Sequence, residues 1–160
     1  MLQSIYVINS IISGVIYAWT LKLEPGRSIV GSAGLLLTRV MDMKKRDETT
    51  FVGIDASLAN FARTYIYRQP HRIILANRPN ARREVRNVAV TGNSVAGNDI
   101  FAVGLTLPRI KVGDLLAILD VGAYGYSMSS HFCGRVRPAE ILIADGSCKL
   151  IRERESERAL

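Results

Sequence analysis

The chain has 160 residues, of which 48% are hydrophobic, so it is long enough and apolar enough to bury the core of one domain. Its formal net charge of +7 would suit a nucleic-acid-binding protein, but the basic residues are scattered and no nucleic-acid motif accompanies them, which argues against that class. The chain has two cysteines, Cys133 and Cys148, and no histidines at the spacing of metal ligands, so the sequence indicates neither a metal site nor a disulfide framework. This cysteine usage predicts a reducing, cytoplasmic compartment.

The N-terminal segment from Met1 to Leu21 contains no charged residue. Its helical projection separates an apolar face, which includes Ile5, Ile8 and Ile12, from a polar one, and this predicts an amphipathic helix over Gln3–Ala18. No positively charged region precedes the apolar run, so the pattern favours a helix of a folded domain over a membrane span or an uncleaved signal. A strand around Thr20–Leu23 and a helix over Ser28–Gly34 are predicted next.

The remainder of the chain has the short apolar or alternating runs that are typical of strands, separated by turns. The predicted strands are Leu35–Met43, Phe51–Asp55, Tyr65–Leu75, Arg86–Thr91 and Leu115–Asp120. A charged turn is predicted at Lys44–Thr50, and a short helical turn at Gly122–Ser130. Ala139–Ala144 and Lys149–Glu153 are predicted to close a sheet, and Arg152–Arg158 to form a solvated end. These elements predict an α+β domain that is mainly β.

The run Glu24-Pro25-Gly26-Arg27-Ser28 is the most informative short segment. It predicts a strand that ends in a carboxylate and a guanidinium, followed by a Pro-Gly turn and a helix that Ser28 can cap. Free backbone N–H groups and a fixed positive charge at a helix start favour an anion. A nearby carboxylate can hold a protonated ring nitrogen, and pyridoxal phosphate is a ligand that needs both contacts.

Three further runs accompany this segment: Val112–Asp120, Gly122–Ser130 and Arg135–Ile143. Together with Glu24–Gly34 they resemble, in order and spacing, the C-terminal portion of the fold-type III pyridoxal-phosphate-dependent decarboxylases, the family of diaminopimelate, ornithine and arginine decarboxylases. A looser match extends to Asp55, Arg63, Tyr67 and His71.

The resemblance implies a fold and two domains. Residues 1–34 would be a remnant of the (β/α)8 cofactor barrel, namely its last helix and strand. Residues 35–160 would be the C-terminal β-domain, a β-barrel or sandwich like the C-terminal domain of alanine racemase.

The resemblance also implies roles for individual residues. The residues expected to bind the cofactor, pyridoxal phosphate, are Glu24, Gly26, Arg27 and Tyr124, with Glu24 at the pyridine nitrogen. The residues expected to bind substrate are Arg27, Arg63, Tyr67, Asp99 and Tyr124. No metal ligand is expected.

Two features depart from the family pattern. None of Lys22, Lys44, Lys45, Lys111 and Lys149 stands in the context of the family's Schiff-base lysine, which belongs to the barrel. In the run Gly92–Asp99, Val95 falls where the family carries a cysteine that returns a proton, and valine cannot transfer one. No catalytic residue is therefore assigned, and the chain alone is expected to be inactive.

We therefore interpret the chain as the C-terminal portion of a lyase of amino-acid metabolism, a truncated or split decarboxylase that acts on an amino acid and forms a homodimer or joins a complementing subunit. A first alternative is a non-catalytic homologue that binds or regulates a full-length decarboxylase subunit. A second is a basic protein that binds nucleic acid or a membrane surface, although neither partner is expected from the pattern.

Overall fold

A short helical segment precedes the sheet in the computed structural model, which describes residues 24–78, 80–81 and 84–159. Helix α1 (Arg27–Val30) continues as a 3-10 turn over Gly31–Ala33, so the helix predicted over Ser28–Gly34 is confirmed to within one residue at each end. The predicted helix Gln3–Ala18 and strand Thr20–Leu23 lie outside the described residues. The assignment of residues 1–34 to a barrel remnant stays a prediction.

Six strands of the described residues form the main sheet, in the spatial order β3-β6-β1-β2-β4-β5. The strands are β1 (Leu35–Arg46), β2 (Thr49–Ile54), β3 (Ile73–Leu75), β4 (Glu84–Thr91), β5 (Ile100–Pro108) and β6 (Leu115–Leu119). Neighbouring strands run antiparallel except β2 and β4, which are parallel. The edge strands β3 and β5 approach each other, so the sheet is a nearly closed barrel. The predicted mainly β, barrel-like fold class is confirmed.

Strand β1 joins the two halves of the barrel because it changes partner along its length. Its first residues, from Leu35 to Arg39, pair with β6, and the rest, from Val40 onwards, pair with β2. A bulge between Val40 and Asp42 marks the change. Bulges bend a strand and increase its twist, which lets a single strand serve both halves of a curved sheet.

The barrel interior is filled by one apolar core. Its fully buried members include Val40, Val52, Ile54, Phe61, Val88, Val90, Leu116 and Ile118. Burying a side chain of this size contributes about 1.5–3 kcal/mol each, so the core supplies the main driving force for closing the sheet. Phe61 comes from the connection between β2 and the next helix and packs that connection onto the barrel.

Three parts of the sequence-based prediction need correction. The charged turn predicted at Lys44–Thr50 is shorter, because β1 extends to Arg46 and β2 begins at Thr49. The predicted strand Tyr65–Leu75 is confirmed only over β3 (Ile73–Leu75), and helix α2 (Arg63–Tyr67) forms where it was predicted to begin. Aromatic and β-branched residues such as Tyr65 and Ile66 favour strands, and the tertiary context overrides that weak preference. Strand β5 was not predicted, because Gly104, at φ +67°, and an irregular register with β4 break its alternation.

The C-terminal hairpin agrees with the prediction. Strands β7 (Glu140–Ala144) and β8 (Ser147–Arg152) pair around Asp145-Gly146, and both turn residues have positive φ, as a two-residue hairpin turn requires. The segment Arg152–Arg158, predicted to be a solvated end, is only partly free of contacts with the rest of the chain. Its Glu155 carboxylate accepts a hydrogen bond from the backbone N–H of Arg137 at 2.8 Å and contacts His131 Nε2 at 2.7 Å. No helix among the described residues is long and apolar enough to span a membrane.

Asp114 is a buried carboxylate that joins two turns at one end of the barrel. Its side chain, only 1% exposed, pairs with Arg78 and accepts hydrogen bonds from the Lys111 backbone N–H at 2.9 Å and Asn77 Nδ2 at 3.3 Å. The hydrogen bond from Arg78 is the main cause that lowers the pKa of Asp114 from 3.8 to about 2. The folded state therefore favours the ionised carboxylate.

We predict that Asp114→Asn removes about 2 kcal/mol from the free energy of unfolding at pH 7. Because the pKa of this carboxyl is lower in the folded chain, its stabilisation is present above pH 3.8 and is lost as the pH falls through about 2. Urea unfolding of the 160-residue chain between pH 7 and pH 2 measures the difference in free energy of unfolding between the parent and Asp114→Asn. This difference should become smaller as the pH falls. Asp145→Asn, in the exposed hairpin turn, is the control and should match the parent throughout. Equal stability of Asp114→Asn and the parent at pH 7 would contradict the prediction.

Candidate functional site

Helix α2 places two of the predicted substrate-binding residues on one face. Arg63 and Tyr67 are four residues apart, the spacing at which side chains of a helix are neighbours. The Arg63 guanidinium lies 5.5 Å from the centre of the Tyr67 ring. The helix ends at Arg68, whose φ of +51° is left-handed and turns the chain towards β3.

The Arg63 side chain is held by two neutral partners. Arg63 is 7% exposed, its Nη1 donates to His71 Nε2 at 2.9 Å, and its Nη2 donates to Gln69 Oε1 at 3.1 Å. Burial, followed by the positive charge of Arg27, lowers the pKa of Arg63, which stays cationic at neutral pH because a guanidinium titrates far above it. Within the part of the chain that the structure describes, Arg63 is thus a buried cation that forms no ion pair.

His71 connects helix α2 to the end of strand β6. It is 5% exposed, packs edge-on against Phe61 with ring centroids 4.8 Å apart, and its Nδ1 lies 2.7 Å from the Leu119 carbonyl oxygen. Burial is the main cause that lowers the pKa of His71 below 6.5. His71 is therefore neutral at pH 7, in contact with Arg63 on one side and with the barrel backbone on the other.

The loop after β6 brings Tyr124 to the same place. The Tyr124 and Tyr67 ring centroids are 6.2 Å apart, and Tyr124 has a φ of +60°. A left-handed conformation is unfavourable for an aromatic residue and persists only where the surrounding structure enforces it. The end of this loop is held by a hydrogen bond from the Ser130 N–H to the Ala59 carbonyl at 2.8 Å, in the connection that leads to α2.

A close approach of two backbones brings Arg27 to this loop. The Gly122 N–H donates to the Gly31 carbonyl at 2.9 Å, and the Val121 N–H donates to the Gly34 carbonyl at 3.0 Å. A Cβ added to Gly34 would lie 2.6 Å from Gly122 Cα, and one added to Gly122 would overlap the Val30 carbonyl oxygen. Glycine is therefore required on both sides of this contact, which we call the Gly34–Gly122 contact.

The Arg27 side chain lies along α1 over Gly31, where an added Cβ would be 3.1 Å from Arg27 Cγ. Its charge lowers the pKa of both Arg63 and His71. The structure thus brings four of the predicted site residues to one place, Arg27, Arg63, Tyr67 and Tyr124, and we refer to them as the arginine–tyrosine cluster.

The charge balance of the cluster indicates an anion site. The ion pairs among the described residues use Arg78, His131, Arg137 and Arg152, and none involves Arg27 or Arg63. Arg63 Nε is also buried without a hydrogen-bond partner within the described part of the chain. A buried guanidinium with donors to spare, such as that of Arg63, is suited to a carboxylate or a phosphate, which arginine binds through paired hydrogen bonds.

The other predicted site residues lie elsewhere. Glu24 and Gly26 are exposed and stand just before α1 at the start of the described segment. Asp99 lies in the β4–β5 loop and is 5% exposed. Its Oδ1 accepts from the Leu58 N–H at 2.9 Å and its Oδ2 from the Ser94 N–H at 3.0 Å, so this carboxylate anchors the loop. Contact of Asp99 with substrate stays a prediction.

Val95 is at the tip of that loop and is 88% exposed. The loop below it is held rigidly, because the Asp99 N–H donates to the Ala96 carbonyl at 3.0 Å and Arg135 Nη2 donates to the Asn93 carbonyl at 2.7 Å. The structure therefore presents an apolar side chain at this tip. Its equivalence to the family's cysteine stays a prediction.

Three features of the site have no functional signal in the sequence. His71 is part of the matched pattern, but its orientation depends on the bond to the Leu119 carbonyl, 48 residues away. Gln69 is a single glutamine in a turn, which carries no signal. The Gly34–Gly122 contact joins two motifs whose glycines are 88 positions apart. The only sequence signal for it is that Gly34 ends the first motif and Gly122 begins the second.

Comparisons with known proteins agree with this fold. The family model described as "Pyridoxal-dependent decarboxylase, C-terminal sheet domain" matches residues 5–122. The diaminopimelate decarboxylase of Methanothermobacter thermautotrophicus is 43% identical over 134 residues, which are 84% of this chain and 31% of that protein. That of Archaeoglobus fulgidus is 43% identical over 136 residues, 85% of this chain and 32% of that protein.

Solved structures give the same result. The crystal structure of diaminopimelate decarboxylase from Helicobacter pylori complexed with L-lysine matches with a TM-score of 0.76 and 34% identity, over 85% of this chain and 33% of that one. AQ1208 from Aquifex aeolicus matches with a TM-score of 0.78 and 37% identity, over 85% of this chain and 33% of that one. The chain spans about a third of the length of the relatives it matches.

We predict that Gly122→Ala lowers the free energy of unfolding by about 1–3 kcal/mol, because its Cβ must displace the Val30 carbonyl. The same displacement should move Tyr124 relative to Arg27. Thermal unfolding measures the first effect, and nuclear magnetic resonance (NMR) shifts of Tyr124 measure the second. Gly97→Ala is the matched control, since no atom lies within 4 Å of a Cβ there, and it should be neutral or slightly stabilising. A neutral Gly122→Ala would show that the Gly34–Gly122 contact does not need glycine.

Proposed function

Because the chain belongs to the family of pyridoxal-dependent decarboxylases, whose C-terminal sheet domain it matches, we propose that the arginine–tyrosine cluster binds anionic groups of an amino-acid substrate and its cofactor. One observation carries this proposal: Arg63 is buried beside Tyr67, the charge of Arg27 reaches it and lowers its pKa, and no carboxylate of the described residues is paired with either arginine. A cation that has lost water on folding and has no protein anion gains most from a bound one.

The residues present fit the family's cofactor. Pyridoxal phosphate supplies an electron sink that makes loss of carbon dioxide from an amino acid feasible. We assign the cofactor's phosphate to Arg27 and Tyr124. Gly26 has no side chain, so the phosphate can also approach the backbone there. We assign the pyridine nitrogen of the cofactor to Glu24. Among the described residues, Arg63 Nε is buried without a hydrogen-bond partner and neither Arg27 nor Arg63 forms an ion pair, which supports an anionic ligand of this kind.

We assign the substrate's carboxylate to Arg63, with Tyr67 beside it. Arg63 is nine-tenths buried, so its charge is screened less by water than that of an exposed arginine. Tyr67 is half-exposed and covers the guanidinium on one side, which leaves a defined direction of approach. The remaining groups that a decarboxylase needs would come from the part of the relatives that this chain does not span.

We predict that the 160-residue chain binds L-lysine more tightly than cadaverine, which differs from L-lysine only by lacking the carboxylate. NMR titration, followed at Tyr67 and Tyr124, measures both affinities. Each charge-assisted hydrogen bond from arginine is worth about 1.5–3 kcal/mol, so Arg63→Ala should weaken L-lysine binding by about tenfold or more. Arg27→Gln, at an exposed position, tests the cluster without disturbing the core and should weaken binding less.

Arg154→Ala is the matched control, because it removes one exposed positive charge outside the cluster and should leave the affinity unchanged. Equal affinity for L-lysine and cadaverine, or an equal loss in Arg154→Ala and Arg63→Ala, would overturn the proposed function.

We further propose that the chain assembles with a second polypeptide, either another copy or a complementing subunit. The β7–β8 hairpin favours this, since Ile141, Ile143 and Leu150 share one of its faces and are 62%, 71% and 53% exposed. Apolar faces of this kind are typical of protein contacts. The scattered cations carry no comparable signal for nucleic acid, and no membrane partner is proposed.

If this hairpin face is an interface, Ile143→Glu should shift the chain towards monomer in sedimentation velocity, because a buried carboxylate without a partner is strongly unfavourable. Val103→Glu places the same charge at another exposed sheet position and should not change the sedimentation coefficient. A parent chain that sediments as a monomer at all concentrations, alone and with a full-length decarboxylase, would contradict the assembly proposal.

A further inference from the structure

His71 stands between two groups that each have only one hydrogen-bonding role. The Leu119 carbonyl oxygen, 2.7 Å from Nδ1, can only accept, and the Arg63 guanidinium, 2.9 Å from Nε2, can only donate. Both bonds exist together only when Nδ1 carries the proton and Nε2 offers its lone pair. The surroundings thus specify one tautomer of the neutral imidazole.

Protonation of the ring would remove one of these bonds. A proton on Nε2 would face the Nη1–H of Arg63, and the positive charges of the imidazolium and the guanidinium would repel each other. Arg63 would then have to turn away. The charged groups around the ring are Arg63 and Arg27, which oppose protonation, and Asp120, which favours it. Burial opposes it as well, so the neutral ring is maintained at neutral pH.

The bond has a consequence for Arg63. An arginine side chain has many rotamers, and fixing them costs free energy that a ligand must otherwise supply. His71 and Gln69 use one N–H of each terminal nitrogen of Arg63, which leaves one on each for a ligand. The guanidinium is thereby oriented before any ligand arrives.

We propose that neutral His71 is a positioning residue, which holds the Arg63 guanidinium in its ligand-binding orientation and releases it when the ring is protonated. This inference rests on the proposed anion-binding role of Arg63. The simplest competing explanation is packing, since the His71 ring also contacts Phe61 edge-on at 4.8 Å and 87°.

Two substitutions separate these explanations. His71→Gln places an amide oxygen where Nε2 was, so it restores an acceptor for Arg63 without a ring and without a titrating group. His71→Phe keeps the ring and its contact with Phe61 but offers Arg63 no acceptor. If His71 acts by positioning, His71→Gln should keep the Arg63 guanidinium in its fixed orientation. If His71 acts by packing, His71→Phe should do so instead. Thermal unfolding of both variants checks that each is folded.

The first measurement is NMR of the 160-residue chain labelled with 15N at histidine and arginine. We expect His71 to be the Nδ1-protonated tautomer, and Arg63 to give separate, slowly exchanging guanidinium signals above pH 6.5. In the parent chain these separate Arg63 signals should average to one when the pH is lowered below 6.5. In His71→Gln they should stay separate both above and below pH 6.5, and in His71→Phe they should be lost at both. An Nε2-protonated His71, or Arg63 signals retained in His71→Phe, would overturn the inference.

The second measurement is the pH dependence of L-lysine affinity. In the parent chain the affinity should fall by about three- to tenfold as the pH is lowered below 6.5, because the ligand must then order Arg63 itself. In His71→Gln the profile should be flat, although Arg27 and Asp120 are unchanged there. The same decline in His71→Gln and in the parent would overturn the inference. If L-lysine binds neither protein, the proposed function fails, and the first measurement still decides the role of His71.

Discussion

The Gly34–Gly122 contact is the constraint on which the candidate site depends. Two backbone hydrogen bonds join α1 to the loop after β6, at a separation that leaves no room for a Cβ on either side. Arg27 lies on one of these segments and Tyr124 on the other, so the contact determines how an exposed cation and a conformationally strained tyrosine stand relative to each other. Helix α2 contributes Arg63 and Tyr67, and the bond between His71 and the end of β6 ties this part of the chain to the strand that leads to Tyr124.

Charge is distributed unevenly over this framework. Arg78 neutralises the buried Asp114, and Arg137 and Arg152 pair with Glu155 and Glu140 within the C-terminal segment. Both of these C-terminal guanidinium groups also lie over the Tyr126 ring, in the loop after β6. These arginines stabilise the fold through pairs with carboxylates. Arg27 and Arg63 are different, because no ion pair of the described residues involves either of them and the hydrogen-bond partners of Arg63 are the neutral His71 and Gln69. Part of the positive charge that is scattered along the sequence is therefore without a carboxylate partner at the arginine–tyrosine cluster, which suits a small anion.

Local patterns predicted much of the fold. The strands of the β1–β2 and β7–β8 hairpins were predicted because they are short apolar or alternating runs, the first pair separated by a charged turn, and these signals act over a few residues. Helix α2 and strand β5 were not, because their residues have weak or opposite intrinsic preferences. Arg63 and Thr64 are buried in the folded domain, so tertiary packing overrides the weak intrinsic preference of α2, and pairing with β4 makes residues 100–108 a strand despite Gly104.

The same division holds for the site. The sequence by itself determined which residue types the domain can offer a ligand, since Arg27, Arg63, Tyr67 and Tyr124 stand in motifs whose order and spacing are readable along the chain. Only the tertiary structure decided that these four converge, that Asp99 anchors a loop, and that a neutral His71 orients Arg63. The physical reason is distance along the chain: hydrogen bonds between residues 71 and 119, and a backbone contact between residues 34 and 122, exist only after the barrel has closed.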